Sequence, residues 1–246
     1  MAGQDRQGSV SGGGLGVQSM ESLRTDGTIK VYTADVAPLN DEARFRRVYE
    51  HVSAQRREKV DQMRLGQDKR LSLGAGALLE SALEAEGVRD LAMTGEDGDK
   101  PRLAHVSGVS FNLSHAGTKV MCAVSDSDIG CDVEQVRDIG MKIARRFFCA
   151  EEYAALLRCE SAESRNDLFF RYWTLKESFM KATGRGFQLP LDSFCMILED
   201  GGVSVRQSLD GRAYFFREFD RRDGYKYAVC SVDKPIRAIS FREMVF

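Results

Sequence analysis

From Val109 onward the apolar positions recur every second residue. Val109, Phe111 and Leu113 alternate with Ser110, Asn112 and Ser114, which predicts a strand with one apolar face. Lys119–Val124 and Ile129–Glu134 are short apolar runs separated by Ser125-Asp126-Ser127-Asp128, a turn composition, and predict a hairpin. Upstream, a strand is expected over Ile29–Ala34 and a charged helix near Asp41–Ser53, followed by a basic segment, Gln55–Arg70. The run Leu71–Glu86, dense in Leu and Ala and stopped by Gly87, predicts a buried core helix. Downstream, helices are expected over Ile143–Phe148, Glu151–Cys159 and Asp167–Thr183. Five strand-like runs follow, Ser193–Glu199, Gly202–Gln207, Ala213–Phe219, Tyr225–Val232 and Ala238–Arg242, and predict a second sheet. This order gives an α+β chain of two halves, 28–127 and 128–246. Residues 1–27, rich in Gly, Ser and Gln with little to bury, are expected to form a disordered leader.

Composition narrows the partners. Among 246 residues, 35 Lys and Arg face 37 Asp and Glu, so no global field favours nucleic acid or an anionic membrane, and neither is expected as a partner. The N-terminus lacks the basic-then-apolar order of a signal peptide, and no run approaches the ~18 apolar residues of a membrane span, so a cytoplasmic location is expected. The cysteines at 122, 131, 149, 159, 195 and 230 form no C-x-x-C pair, and reduced, mostly buried thiols are expected.

Four short segments hold candidate chemistry. In Trp173–Gly186, Glu177 and Lys181 stand four residues apart on one helical face, with Trp173 a turn earlier; alone, such a pair is most often a surface salt bridge worth about 0.3–0.5 kcal/mol. In Ile129–Glu134 the apolar residues 129, 131 and 133 face one way, so Asp132 and Glu134 project together from the other face. A solvated edge tolerates that; in a cleft, a hard cation such as Mg²⁺ relieves the repulsion. Ser114 and His115 end a strand where a loop can hold a phosphate or an adenine edge, although adjacent side chains on an extended chain diverge and make no catalytic dyad. Arg56, Arg57, Lys59, Arg64, Lys69 and Arg70 form a basic run, and Lys100-Pro101 adds a cation at a rigid turn. Gly12-Gly13-Gly14 lacks the strand, helix and Gly-Lys-Ser/Thr ending of a phosphate loop.

Taken together, these segments resemble the 4′-phosphopantetheinyl transferases of the surfactin-synthetase-activating type. Three ordered motifs carry the likeness: Phe111–His115, Gly130–Glu134 and Trp173–Gly186. It extends from about Val52 to the C-terminus, taking in Lys100-Pro101, Arg145–Phe148, Glu152-Tyr153 and Leu189–Phe194. The resemblance implies two similar α/β halves related by a pseudo-twofold, with the active site at their interface, in a monomer. It implies a reaction that moves the phosphopantetheine arm of coenzyme A onto a serine of an apo acyl or peptidyl carrier protein, releasing 3′,5′-ADP. It makes Asp132, Glu134 and Glu177 a site for Mg²⁺ (or Mn²⁺) on the coenzyme A pyrophosphate, with Glu177 also the general base, directly or through a metal-bound water. Lys181 would neutralise charge developing on the bridging phosphate. Arg56, Lys59, Lys100, Ser114 and His115 fall where the family holds the nucleotide end, with Ser72 nearby; Lys176 would reach the same anion, Glu152 would be a further acidic group near the metal, and Trp173 would pack. Departures from the pattern are Cys131 for an aliphatic residue, Ala116 for a serine, Asp99 for a glycine and Arg56 for a lysine. Two alternatives stand beside this reading: a non-catalytic coenzyme A or carrier-protein binding module of the same fold, and a different metal-dependent phosphotransfer enzyme.

Overall fold

The computed structural model describes residues 27–95 and 100–246. The expected leader, apart from Gly27, lies outside the described residues, as does Asp99.

The elements follow the hydrophobic pattern closely. Strand β1 (Thr28–Asp35) leads to helices α1 (Glu42–His51), α2 (Ala54–Gln62) and α3 (Gly66–Ala85). Two short strands, β2 (Met93–Thr94) and β3 (Arg102–Leu103), precede β4 (Ser110–Ala116), β5 (Lys119–Ser125) and β6 (Ile129–Gln135). Helices α4 (Met141–Phe147), α5 (Ala150–Leu157) and α6 (Ala162–Thr183) come next, then β7 (Cys195–Glu199), β8 (Gly202–Arg206), β9 (Tyr214–Phe219), β10 (Tyr225–Val232) and β11 (Ala238–Met244). Local chemistry sets the helix ends. Asp41 and Ser53 accept hydrogen bonds from the backbone N–H of Arg44 and Arg56, capping α1 and α2, and Gly184, in the left-handed region at φ 72°, ends α6. Helix α3 begins five residues before the apolar run that predicts it, because its first turn, Gly66–Lys69, lies on the surface and carries no hydrophobic signal.

The main sheet has the order β11-β1-β5-β4, and a second has the order β6-β10-β9. The expected hairpin of 119–124 with 129–134 does not form. Strand β5 pairs instead with β4, from Ser110 opposite Ser125 to Ala116 opposite Lys119, while β6 pairs with β10. Gly117 explains the choice: with φ at +56° it closes a two-residue turn between β4 and β5. The chain passes from one sheet to the other between 125 and 129, and the five downstream runs do not form the single sheet expected of them: β7 and β8 pair apart, and only β9 and β10 join β6. The last strand then returns to the first sheet, where β11 runs parallel to β1 with Thr28 opposite Ala238.

Each half has its own core. Helix α3 packs Leu73, Leu78, Leu79 and Leu83 under the first sheet, and α6 packs Phe169, Leu175 and Phe179 under the second. A third cluster joins the two sheets, with Val31, Met121 and Ala123 against Ile129, Cys131, Val133 and Val229. Side chains rather than a backbone ladder link β4 to β6. The Cys131 N–H donates to Asn112 Oδ1 at 2.9 Å, and the Val133 N–H to Ser114 Oγ at 3.3 Å.

Cys122, Cys131 and Cys230 are buried free thiols, as expected. Cys149 and Cys195 correct the expectation of six reduced cysteines: the N-terminus of α5 and the start of β7 meet, and the two residues form a disulfide with Cα atoms 5.7 Å apart. Among the described residues no helix is long and apolar enough to cross a membrane.

Candidate active site

The site begins with a missing side chain. A Cβ on Gly130 would lie 2.0 Å from Ser178 O and 2.4 Å from Ala182 N, so only glycine lets the backbone of α6 rest directly on β6. That close approach brings Lys181, on the last turn of α6, over the neighbouring strand residues. Its ammonium donates to Asp132 Oδ1 at 2.7 Å, Ser114 Oγ at 3.1 Å and the Cys131 carbonyl at 3.2 Å. Ser114 in turn donates to Asp132 Oδ1 at 2.7 Å. One residue from the first sheet, one from the second and one from α6 therefore meet where the halves join. Gly130→Ala is expected to lower stability by about 2–3 kcal/mol through overpacking, a fall in Tm of roughly 5–10 °C, and to cost more activity than that because Lys181 moves with the helix. Calorimetry together with transfer rates checks this, and an unshifted Tm would contradict the packing argument.

Asp132 is almost fully buried, and its second oxygen, Oδ2, has no hydrogen-bond partner. The Asp132 charge acts on Glu134 from β6 and on Glu177 from α6, and neither of these side chains makes a hydrogen bond or ion pair to the described residues. Burial, then the Asp132 charge, pushes the Glu134 carboxyl up to about 7. The same causes in the same order raise Glu177. Burial is the largest influence and lowers the Lys181 ammonium, but Asp132, Cys131 and Glu177 together hold the group above its usual range. Three under-partnered carboxylates with one orphaned buried oxygen fit a hard divalent cation, which takes oxygen ligands and keeps several of its waters. They are not drawn tight: among the described residues, the trio whose ligand atoms all lie within 4.8 Å of one another is Cys149, Glu152 and Cys195.

The other expected contact residues divide. His115 follows Ser114 on β4 with its ring reaching solvent; burial by its neighbours, then the Lys181 charge, lowers its pKa. Arg56 lies along α3, its side chain filling the space left by Gly76 and its guanidinium donating to Ser72 O at 3.4 Å, so Arg56 and Ser72 do meet. Lys59 is exposed on the same helix as Arg56. Lys100 donates to Ile129 O at 2.7 Å, three residues before Asp132 on β6, and burial depresses its ammonium to about 8.

Lys176 departs from the expectation of an anion contact. Its side chain is fully buried, donating to both oxygens of Glu152 at 2.8 Å and to Phe194 O at 2.8 Å. Glu152, expected near the metal, is consumed by the same pair. The reason is helical: successive residues point about 100° apart, so Glu177 turns toward the cleft and Lys176 away from it. Lys176→Met is expected to cost about 3–5 kcal/mol of stability, because it strands a buried carboxylate, while leaving the KM for coenzyme A unchanged. Thermal unfolding and steady-state kinetics separate the two effects. Trp173 packs as expected, stacked on Phe169 at 5.6 Å and edge-on to Phe147 at 5.9 Å.

Sequence reasoning missed Gly130 and Asn112, which set the spacing between α6, β6 and β4. A glycine inside an otherwise apolar strand was the available signal for the first. For Asn112, alternation marks a face but not a partner.

The site therefore joins a lysine and three carboxylates at the seam of two sheets. The 4′-phosphopantetheinyl transferase superfamily profile matches residues 128–230. The chain is 32% identical over 216 residues to the 4′-phosphopantetheinyl transferase Sfp of Bacillus subtilis (strain 168), covering 85% of this chain and 96% of that one. It is 35% identical over 189 residues to the 4′-phosphopantetheinyl transferase ffp of Bacillus subtilis, covering 75% and 84%. To the 4′-phosphopantetheinyl transferase psf-1 of Bacillus pumilus it is 31% identical, covering 85% and 92%. The chain belongs to the 4′-phosphopantetheinyl transferase family.

Proposed function

We propose the following division of labour for the transfer that this chain performs, in which the phosphopantetheine arm of coenzyme A passes to a serine of an apo carrier protein and 3′,5′-ADP leaves. The observation that carries it is the buried Asp132 Oδ2 without a hydrogen-bond partner, in a carboxylate whose charge acts on Glu134 and Glu177, with Lys181 at 2.7 Å from the other oxygen. Asp132, Glu134 and Glu177 hold a divalent cation, Mg²⁺ or in its place Mn²⁺. Bound there, the cation supplies neutralising charge to the coenzyme A pyrophosphate.

The remaining work falls to the chain itself. Lys181, fixed by Ser114 and the Cys131 carbonyl, is a preorganised cation that meets the negative charge left on the phosphate of departing 3′,5′-ADP. Glu177 takes the proton of the carrier serine; its raised pKa brings it closer to the working pH, where a base is most effective. The nucleotide end falls to His115, Ser114 and Arg56, with the exposed Lys59 meeting the 3′-phosphate. Both halves of the site come from one chain, so a monomer suffices. A binding module without catalysis is less favoured, because a buried carboxylate that fixes one ammonium beside two further unpaired carboxylates is an expensive arrangement for a surface that only docks a ligand.

Glu177→Gln tests the assignment. It is expected to keep coenzyme A binding within about threefold and to lower kcat roughly 100-fold, the usual contribution of a positioned base. Calorimetry and turnover measure the two separately. Unchanged turnover removes Glu177 from the base role, and equal affinity for coenzyme A and an ordinary nucleoside triphosphate would favour another phosphotransfer enzyme.

A further inference from the structure

Behind α6, on the side away from the cleft, lies a cluster that the transfer does not use. Cys149 occupies the N-cap position of α5 and Cys195 the first position of β7. Their Cα atoms are 5.7 Å apart, within the range a disulfide spans, and the two sulfurs are joined. The Glu152 carboxylate sits beside them. It accepts the two Lys176 hydrogen bonds at 2.8 Å, the Cys149 N–H at 3.0 Å and the Met196 N–H at 2.7 Å. Two sulfurs and a carboxylate this close could suggest a metal. Three donor groups already occupy the carboxylate through four hydrogen bonds, however, and one is an ammonium, so a cation there would have to displace Lys176.

The chemistry left to two sulfurs in this setting is disulfide exchange. Cys195 borders an open hollow of about 230 Å³ whose wall includes Arg206 and Gln207, wide enough to admit a small thiol. The exposed Arg206–Glu151 ion pair, 2.6 Å long, stands over it, with Glu151 3.3 Å from the Cys195 sulfur. Cys149 is half-buried at the start of α5, so it is the sulfur of the pair that a small disulfide meets first. Cys195 is itself buried, as are Cys122, Cys131 and Cys230, and Cys159 is half-buried like Cys149; what sets Cys149 and Cys195 apart is that their sulfurs lie together at the edge of the hollow.

We propose that Cys149 and Cys195 are a reversible redox pair, oxidised by exchange with a small-molecule disulfide of the glutathione type, which clamps α5 to β7 behind the catalytic helix. One cysteine thiolate attacks oxidised glutathione, forming a mixed disulfide and expelling one glutathione thiolate. The second cysteine sulfur attacks the protein sulfur of the mixed disulfide and expels the other. The protein dithiol loses two electrons and two protons, and oxidised glutathione gains both as two thiols. The bond closes a loop of 46 residues that contains all of α6, so it restricts the unfolded chain and ties down the elements that hold Lys176. This inference is independent of the residue roles assigned to the transfer.

The test uses the full chain equilibrated in oxidised and reduced glutathione at a series of ratios, quenched by alkylation and mapped by peptide mass, with Tm measured at each ratio. Cys149 and Cys195 are expected to become protected together, and only those two. Reduction is expected to lower Tm by about 5–10 °C. Cys149→Ser and Cys195→Ser should show the reduced Tm at every ratio, with transfer at 25 °C unchanged. Both thiols alkylated at every ratio would overturn the proposal, as would a Tm shift that persists in the serine variants or a stoichiometric zinc ion found with the unalkylated protein. If a serine variant does not fold, the wild-type alkylation and Tm series still decides the question.

Discussion

Asp132→Ala is expected to lower carrier transfer about 1,000-fold while the protein stays folded. Three effects act together at this position. The substitution removes the carboxylate that holds Lys181 at 2.7 Å. It removes a fully buried carboxylate oxygen that no described protein group satisfies. It also removes the largest charge acting on both Glu134 and Glu177. Loss of one preorganised electrostatic group typically costs 100- to 1,000-fold, and here a proposed metal ligand goes with it. Stability should change little, because the Lys181 side chain left behind is 28% exposed and can turn to water. Steady-state transfer, with circular dichroism as a control, measures both; near-wild-type turnover in a folded variant would remove Asp132 from the site.

Lys181→Met carries the second large effect, roughly 100- to 1,000-fold in kcat with a much smaller change in the KM for coenzyme A. A cation that acts on charge developing as 3′,5′-ADP departs lowers the barrier more than it tightens the ground state. The pH profile gives a second readout with a defined sign. Lys181 lowers the pKa of both Glu134 and Glu177. Removing its charge therefore raises both, and the acidic limb of the rate profile should move to higher pH, since the ionised carboxylates are the working forms. An unmoved acidic limb, or a loss confined to KM, would show that Lys181 only binds substrate.

How much of this could be read from the chain depended on whether the evidence was local. Asp132 and Glu134 stand out because a strand has period two, and Glu177 and Lys181 because a helix places residues four apart on one face. Both patterns put side chains on a common face, and the fold brings those faces together. Long-range pairings left no such trace. The parallel union of β1 and β11 joins chain ends some two hundred residues apart in sequence, and nothing in Ala238–Met244 names its partner. The mistaken hairpin arose because β5 and β6 are both buried on both faces, so composition could not say which neighbour each would take; the signal was Gly117 on the other side of β5. Lys176 was misplaced for a related reason. Beside Glu177 in sequence it looks like part of the site, and only the positions of Glu152, 24 residues earlier, and Phe194, 18 residues later, reveal the opposite face. Cys149 and Cys195 come together by the same tertiary route.

The two sheets meet without a backbone ladder between β4 and β6, and this frames the chemistry. Asn112 and Ser114 satisfy the N–H groups of Cys131 and Val133 from across the seam, so the strand bearing Asp132 is positioned by side chains of the other half. Ser114 thereby works twice, holding β6 by the backbone and Asp132 by its carboxylate.

The most direct test of the central claim is the intact mass of an apo carrier protein after incubation with this chain, coenzyme A and Mg²⁺. The account predicts a carrier heavier by one phosphopantetheine group on a single serine, with 3′,5′-ADP released in equal amount and no reaction when Asp132→Ala replaces the wild type. An unmodified serine across fatty-acid, polyketide and nonribosomal-peptide carriers would contradict it.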